Sequence, residues 1–359
     1  MMKTMVSRAR NKREETGTAP ARLLAAVLSF VLAFYMAAGN AAGLEKPSVR
    51  VAVGGKVLVA YLPLTIAERR GYFSKEGLQV EISDFQGGAK ALEALIGGSA
   101  DVGCGAYEHT LYMAAKGLSI EAIALQANSF GLVVGVQNDK APSYRSPRDL
   151  KGMKIGVTGP GSASAMGLRM LLGKASLTAD DVSIIGVGGG MGAVAAVKSG
   201  RLDAIANFDP AISLLERDGA IRIILDTRRQ KDLEYLYGGP FAASAFYVDT
   251  RFAARYPKTT QAFVNAISAA LDWLSKASTE EIVAAVPPEY YAGDRALYRT
   301  MIESNRERVS LDGRISRDAA EITYRNLSLF EDTLRDIRID VSKTYDNSFV
   351  ELAPALRSP

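Results

Sequence analysis

One pattern constrains this chain more than any other: a strand-turn-helix-strand unit written twice, over residues 49–84 and again over 154–190. Each copy opens on a short apolar strand, Val51-Ala-Val-Gly or Ile155-Gly-Val-Thr, and breaks at a Gly/Pro turn. Each then runs through a helical pattern into a second strand, Val80-Glu-Ile or Ser183-Ile-Ile, and Val51 to Val80 and Ile155 to Ile184 are both 29 positions. A short helix, a glycine turn and a third strand headed by an aspartate follow both copies, with Asp101 in the first and Asp203 in the second. Strands alternating with helices build parallel α/β sheets, so a unit written twice predicts two α/β lobes. Ligands of such sheets bind beyond the carboxyl ends of the strands, and two lobes facing each other predict a cleft.

At 359 residues the chain has room for two domains, and 48% hydrophobic with 23% charged residues is the balance of a folded globular protein. Residues 1–42 read differently. Lys3, Arg8, Arg10, Lys12, Arg13 and Arg22 precede an apolar run at 23–38, and Ala37-Ala-Gly-Asn-Ala-Ala-Gly43 closes it with small residues. That is the layout of a secretory signal peptide, with cleavage expected between Ala41 and Gly43. The run is shorter than the roughly 20 residues of a spanning helix, which leaves an uncleaved anchor as the alternative. No cysteine stands near the cleavage point and no twin-arginine pair precedes the run, so neither a lipid anchor nor a cofactor inserted before export is expected. The predicted location is outside the cytoplasm.

This segment holds six of the 43 basic and two of the 39 acidic residues, so the remainder is formally neutral. Long-range attraction of nucleic acid or of a membrane surface is therefore not expected. The single cysteine, Cys104 in Val102-Gly-Cys-Gly-Ala, rules out an internal disulfide and reads as a small buried residue.

Along the chain, lobe one is expected over residues 49–135 with 242–359, and lobe two over 136–241. Pro142, Ser143, Ser146 and Pro147 mark the surface loop where the chain is expected to cross. The apolar stretch 242–248 carries it back. Beyond that the pattern turns helical over 259–275, 279–286, 294–307 and 316–329, a tail expected to pack on lobe one and reinforce the hinge.

Read in order, Tyr61-Leu-Pro-Leu-Thr-Ile-Ala-Glu68, Gly71-Tyr-Phe-Ser-Lys-Glu-Gly-Leu78, Gly97-Gly-Ser-Ala-Asp101, Asp149-Leu-Lys-Gly152 and Ser199-Gly-Arg-Leu-Asp203 resemble the periplasmic substrate-binding proteins of nitrate-, sulfonate- and taurine-type ABC importers. Gly105-Ala-Tyr-Glu-His-Thr110, Asn207-Phe-Asp-Pro210 and Thr344-Tyr-Asp-Asn-Ser-Phe-Val350 look like one subgroup of these, from which Phe241-Ala-Ala-Ser departs. The resemblance implies a type II periplasmic-binding-protein fold: two α/β lobes, joined by two crossing strands, that close over a small and commonly anionic solute and deliver it to a membrane permease. Thiamine-pyrimidine synthases share this fold, but a resemblance to them would require a cysteine-rich motif that the chain lacks.

The residue chemistry agrees with an anion receptor. Helices beginning near Pro63, Ala89, Tyr107 and Ala163 would each point unpaired N–H groups and a partial positive charge at the cleft. Ser162 and Ser164 add hydroxyl donors, or else cap a helix. Tyr61, Tyr107 and His109 offer flat apolar surface with a polar tip, or else pack in the core, and Leu62 and Gly88, the latter in the turn that starts the second helix, are further lobe-one candidates. Asn207 and Asp209, at the end of a lobe-two strand, are further candidates, with an Asx turn before Pro210 as the alternative.

Catalytic readings are poorer. Gly188-Gly-Gly190-Met-Gly-Ala193 follows a strand, opens a helix and is answered by Asp209 21 residues on, as a dinucleotide fingerprint requires, yet its helix has only about eight residues before Ser199-Gly200. His109 is the only histidine, no Gly-x-Ser-x-Gly turn presents a nucleophile, and no Cys/His cluster has metal spacing. No cofactor and no metal are expected. An extracytoplasmic sensor using the same closure, and an oxidoreductase using the glycine-rich turn, are the alternatives to a transport receptor.

Overall fold

The repeated unit accounts for two five-stranded sheets in the computed structural model, which describes residues 43–356. The expected signal segment lies outside them. In lobe one, β1 (Ser48–Val53), β2 (Gln79–Asp84) and β3 (Val102–Ala106) run parallel, followed by β4 (Ile120–Ala127). In lobe two, β5 (Val133–Gln137), β6 (Lys154–Val157), β7 (Ser183–Gly186), β8 (Ala204–Asn207) and β9 (Ile221–Asp226) form the second sheet, and β10 (Ser244–Asp249) returns to the first. The strand orders are β2-β1-β3-β10-β4 and β7-β6-β8-β5-β9. Each sheet thus holds one antiparallel strand delivered by a crossing, β10 in the first and β5 in the second.

The aspartates that head the third strands have a shared task. Asp101 accepts from the backbone N–H of Arg50 at 2.9 Å, and Asp203 accepts from that of Lys154 at 2.8 Å. Each carboxylate therefore ties the start of its strand to the opening strand of its own copy of the repeated unit, β1 or β6. The equal spacing of 29 positions is the pairing register in lobe two, where Ile155 pairs with Ile184, but in lobe one Val51 pairs with Ile82, two residues further on.

The crossing falls earlier than the loop at 142–147. Residues 128–132 carry the chain over, and β5, whose first three residues fall within the expected bounds of lobe one, pairs with β8 (Val133 opposite Asn207) and with β9 (Val133 opposite Asp226). An apolar strand buried on both faces needs a partner on each edge, and only the pairing itself decides which sheet supplies them. The loop lies inside lobe two, where Ser146 and Asp149 form a capping box.

The helices that position the cleft are α1 (Leu62–Arg69), α2 (Gly88–Ile96) and α3 (Glu108–Ala115) in lobe one, then α4 (Ala163–Lys174), α5 (Met191–Lys198) and α6 (Gln230–Tyr237) in lobe two. The tail follows as α7 (Pro257–Lys276), α8 (Arg295–Asn305) and α9 (Arg317–Phe330). Helix α7 buries Phe263, Val264, Ile267 and Leu271, and Phe263 stacks on Phe73 and meets Phe246 edge-on, both at 5.2 Å, so it packs on lobe one as expected. Helix α9 does more. It contacts α3 of lobe one and also α4 and α6 of lobe two, with the Asn326 amide donating to the Tyr237 carbonyl at 2.7 Å.

Candidate functional site: the interlobe cleft

The loops that follow the parallel strands of the two lobes meet face to face. Their meeting point is the start of α2 against the start of α4. Ser162 stands at the N-cap of α4 with an extended backbone, yet its hydroxyl makes no cap bond to its own helix. It accepts instead from the Ala89 N–H of α2, across the lobes, at 3.1 Å. Gly87 makes this approach possible: a Cβ there would sit 2.8 Å from Ser162 Oγ and 3.0 Å from the Thr158 carbonyl oxygen, and its φ of +90° suits only glycine. Two helix starts are therefore adjacent across the lobes, and the start of a helix favours negative charge.

Beside this contact lies His109, in the first turn of α3. Its Nδ1 is 3.0 Å from the Tyr247 hydroxyl and the two rings meet edge-on at 5.8 Å. Its Nε2 is buried and has no hydrogen-bond partner. Burial lowers the imidazole pKa to about 4, opposed in part by the Gly161 carbonyl of lobe two, which is near but outside hydrogen-bond geometry. The ring is thus neutral at ordinary pH. A Cβ on Gly88 would lie 3.0 Å from His109 Cε1, 3.8 Å from Nε2 and 4.0 Å from the Tyr61 hydroxyl. Tyr61 in turn meets Phe130 edge-on at 6.2 Å, and Phe130 lies against Phe208 at 5.2 Å, an aromatic wall shared by both lobes and the first crossing.

Of the nine residues read from the sequence, the structure brings Tyr61, Gly88, His109 and Ser162 together. The other five have partners elsewhere. Tyr107 turns into lobe one, its hydroxyl 2.5 Å from Thr344 Oγ1. Leu62 lines an apolar pocket of about 480 Å³ with Leu274 and Ile302 of the tail. Ser164 Oγ accepts from the Thr158 N–H at 2.9 Å and lies 2.9 Å from its hydroxyl, fixing the loop after β6. The Asn207 amide donates to the Gly188 carbonyl at 2.9 Å and its oxygen accepts from the Phe208 N–H of the very next residue, which is not the Asx turn offered as the alternative. Asp209 is engaged on both oxygens: Oδ1 by the backbone N–H and hydroxyl of Ser213 at 3.1 and 2.6 Å, Oδ2 by the Asn305 amide at 2.9 Å and Arg228 at 3.4 Å.

Tyr247 and Gly161 escaped the sequence reading. Tyr247 had a signal: glycines alternate on β3 at 103 and 105, and a Cβ at either would lie 2.2 Å or 2.6 Å from the Tyr247 ring or hydroxyl, so period-two glycines mark a large side chain lying across the strand. The glycine-rich turn at 188–190 is filled by protein, since a Cβ on Gly189 would meet Leu58 of lobe one at 2.5 Å. Next to His109, Glu108 is also buried, with Oε2 unpartnered, and burial pushes its pKa up to about 8.

Two α/β lobes, two crossings and a seam at the carboxyl ends of the strands define the two-lobed type II periplasmic-binding-protein fold. Residues 43–286 match the model of the NMT1-like family, and the chain belongs to that family. A solved protein of Bordetella bronchiseptica is 47% identical, with a TM-score of 0.83 over 86% of this chain and 97% of its own. The alkanesulfonate-binding protein SsuA of Xanthomonas axonopodis pv. citri, solved bound to MOPS, shares the fold at 21% identity, with a TM-score of 0.67 over 85% of this chain and all of its own. The 4-amino-5-hydroxymethyl-2-methylpyrimidine phosphate synthase of Uromyces fabae is 28% identical over 307 residues, 82% of this chain and 85% of that protein.

Proposed function

We propose that this chain is the extracytoplasmic solute-binding subunit of an ABC importer: it takes a small organic anion, sulfonate- or carboxylate-like, between its lobes in the periplasm and presents it to an inner-membrane permease. The observation that carries this reading is the buried, unpartnered His109 Nε2 beside Gly88 and Tyr61, where the starts of α2 and α4 converge. A buried polar atom without a partner costs about 1–3 kcal/mol, a cost that a bound ligand atom would remove. The neutral imidazole brings a hydrogen bond and no charge, so a negative group on the ligand relies on the helix starts, each favouring it by roughly 0.3–1 kcal/mol. Ligand contacts available only when both lobes touch it would stabilise the closed arrangement.

The alkanesulfonate ligand of SsuA supports the ligand class, and the synthase-named relative is the reason to test against catalysis. Here Cys104 offers no nucleophile: it is fully buried, burial drives its thiol pKa far up, and the Gln126 amide donates to its sulfur at 3.1 Å. A thermal-shift screen of alkanesulfonates, taurine, carboxylates, nitrate and pyrimidines on the purified chain tests the proposal. A saturable shift by one sulfonate or carboxylate, with the ligand recovered unchanged, supports it. A shift by pyrimidines alone, or conversion of the ligand, would replace it.

A further inference from the structure

Beyond the interlobe cleft, we propose a second binding site, for a small ligand bearing a carboxylate or phosphate group, in a cleft of about 950 Å³ on the hinge side of the molecule. Its walls come from both crossings, from lobe two and from the tail: Ser129 of the first crossing, Pro240 of the second, Thr227 and Arg228 of lobe two, and Arg308 and Arg314 of the tail. Four arginines line it against two carboxylates, Glu307 and Asp312.

Two side chains single it out. Thr227 is fully buried, its N–H is tied to the Leu132 carbonyl at 2.8 Å, and its hydroxyl has no partner. Arg308 is half-buried, and its guanidinium donates only to neutral acceptors: the Ser304 and Arg228 carbonyls and Asn305 Oδ1 at 3.2 Å. Among the described residues no carboxylate lies within ion-pair distance of it, and burial lowers its pKa, opposed by more distant acids. A guanidinium in this state has donors left for a fork-shaped contact with an oxyanion. Arg228 differs, being held by Asp226 at 2.8 Å and by Glu216 at 3.2 Å. Arg314 is paired with Glu351 in an exposed contact at 2.6 Å, of the kind that costs little to exchange. An anion seated between Thr227 and Arg308 ties the tail to lobe two across both crossings, so its binding and the opening of the lobes are linked.

The test titrates the purified chain with inorganic phosphate and, separately, with succinate at constant ionic strength, reading thermal shift and calorimetric binding. At least one gives a saturable response; phosphate alone points to a phosphoryl ligand, succinate to a carboxylate. Thr227→Val keeps the shape, removes a hydroxyl with no protein partner and leaves the unliganded melting temperature unchanged or raised, while weakening binding about threefold to tenfold. Arg308→Gln weakens it about tenfold or more. Should Arg308→Gln fold poorly, Thr227→Val decides alone. No saturable response to either anion, or normal binding by Thr227→Val, would overturn the proposal.

Discussion

At the scale of single residues, Glu108 and His109 are neighbours whose burial acts in opposite senses on stability. The pKa of Glu108 is raised from 4.5 to about 8, so the folded chain holds a proton that the unfolded chain releases; its contribution is full below pH 4.5 and is lost as pH rises toward 8. The pKa of His109 is lowered from 6.5 to about 4, so its contribution is full above pH 6.5 and is lost as pH falls toward 4. Between pH 4.5 and 6.5 the two offset each other, and from 6.5 to 8 only the loss from Glu108 remains. Denaturant unfolding at stepped pH should show Glu108→Gln removing a decline of up to about 1.4 kcal/mol per pH unit in that upper window. An unchanged slope would mean that Glu108 is ionised in the fold. A second residue-scale outcome concerns Gly103, where a methyl group would lie 2.2 Å from the Tyr247 ring. Gly103→Ala should cost about 1–3 kcal/mol of stability and disturb the hydrogen bond that Tyr247 makes to His109, both readable from melting and from the histidine NMR signal.

At the scale of elements, the strands and helices were legible because each carries its own period and punctuation, and Ser162 and His109 were legible because each sits at a helix start following a strand. The role of Asp209 was not. Its partners are Ser213 within the next helical turn, Arg228 in lobe two and Asn305 in the tail, 96 positions away, and no local pattern announces a contact at that separation. The same reason hid the sheet to which β5 belongs. Asp209 thus fastens the tail to lobe two: Asp209→Ala would leave the Asn305 amide and the Ser213 hydroxyl short of an acceptor in a buried setting, costing about 2–4 kcal/mol in equilibrium unfolding. A loss below about 0.5 kcal/mol would mean that the contact is dispensable. Asn207→Ala should likewise lower stability as well as any binding, because its amide holds the Gly188 turn.

At the scale of the molecule, both crossings and the tail connect lobes whose facing loops meet through Ala89 and Ser162, with His109 Nε2 left unpartnered beside them. A clamp of this kind has a signature that a rigid binding pocket lacks. Small-angle scattering on the purified chain, with and without a ligand from the screen at about a hundred times its dissociation constant, measures it directly. A clamp gives a smaller radius of gyration with ligand, a stabilisation of about 2.7 kcal/mol, and loss of both effects at that concentration in Ser162→Ala combined with His109→Gln. A ligand that binds saturably, leaves the radius of gyration unchanged and is held equally well by the double variant would contradict it.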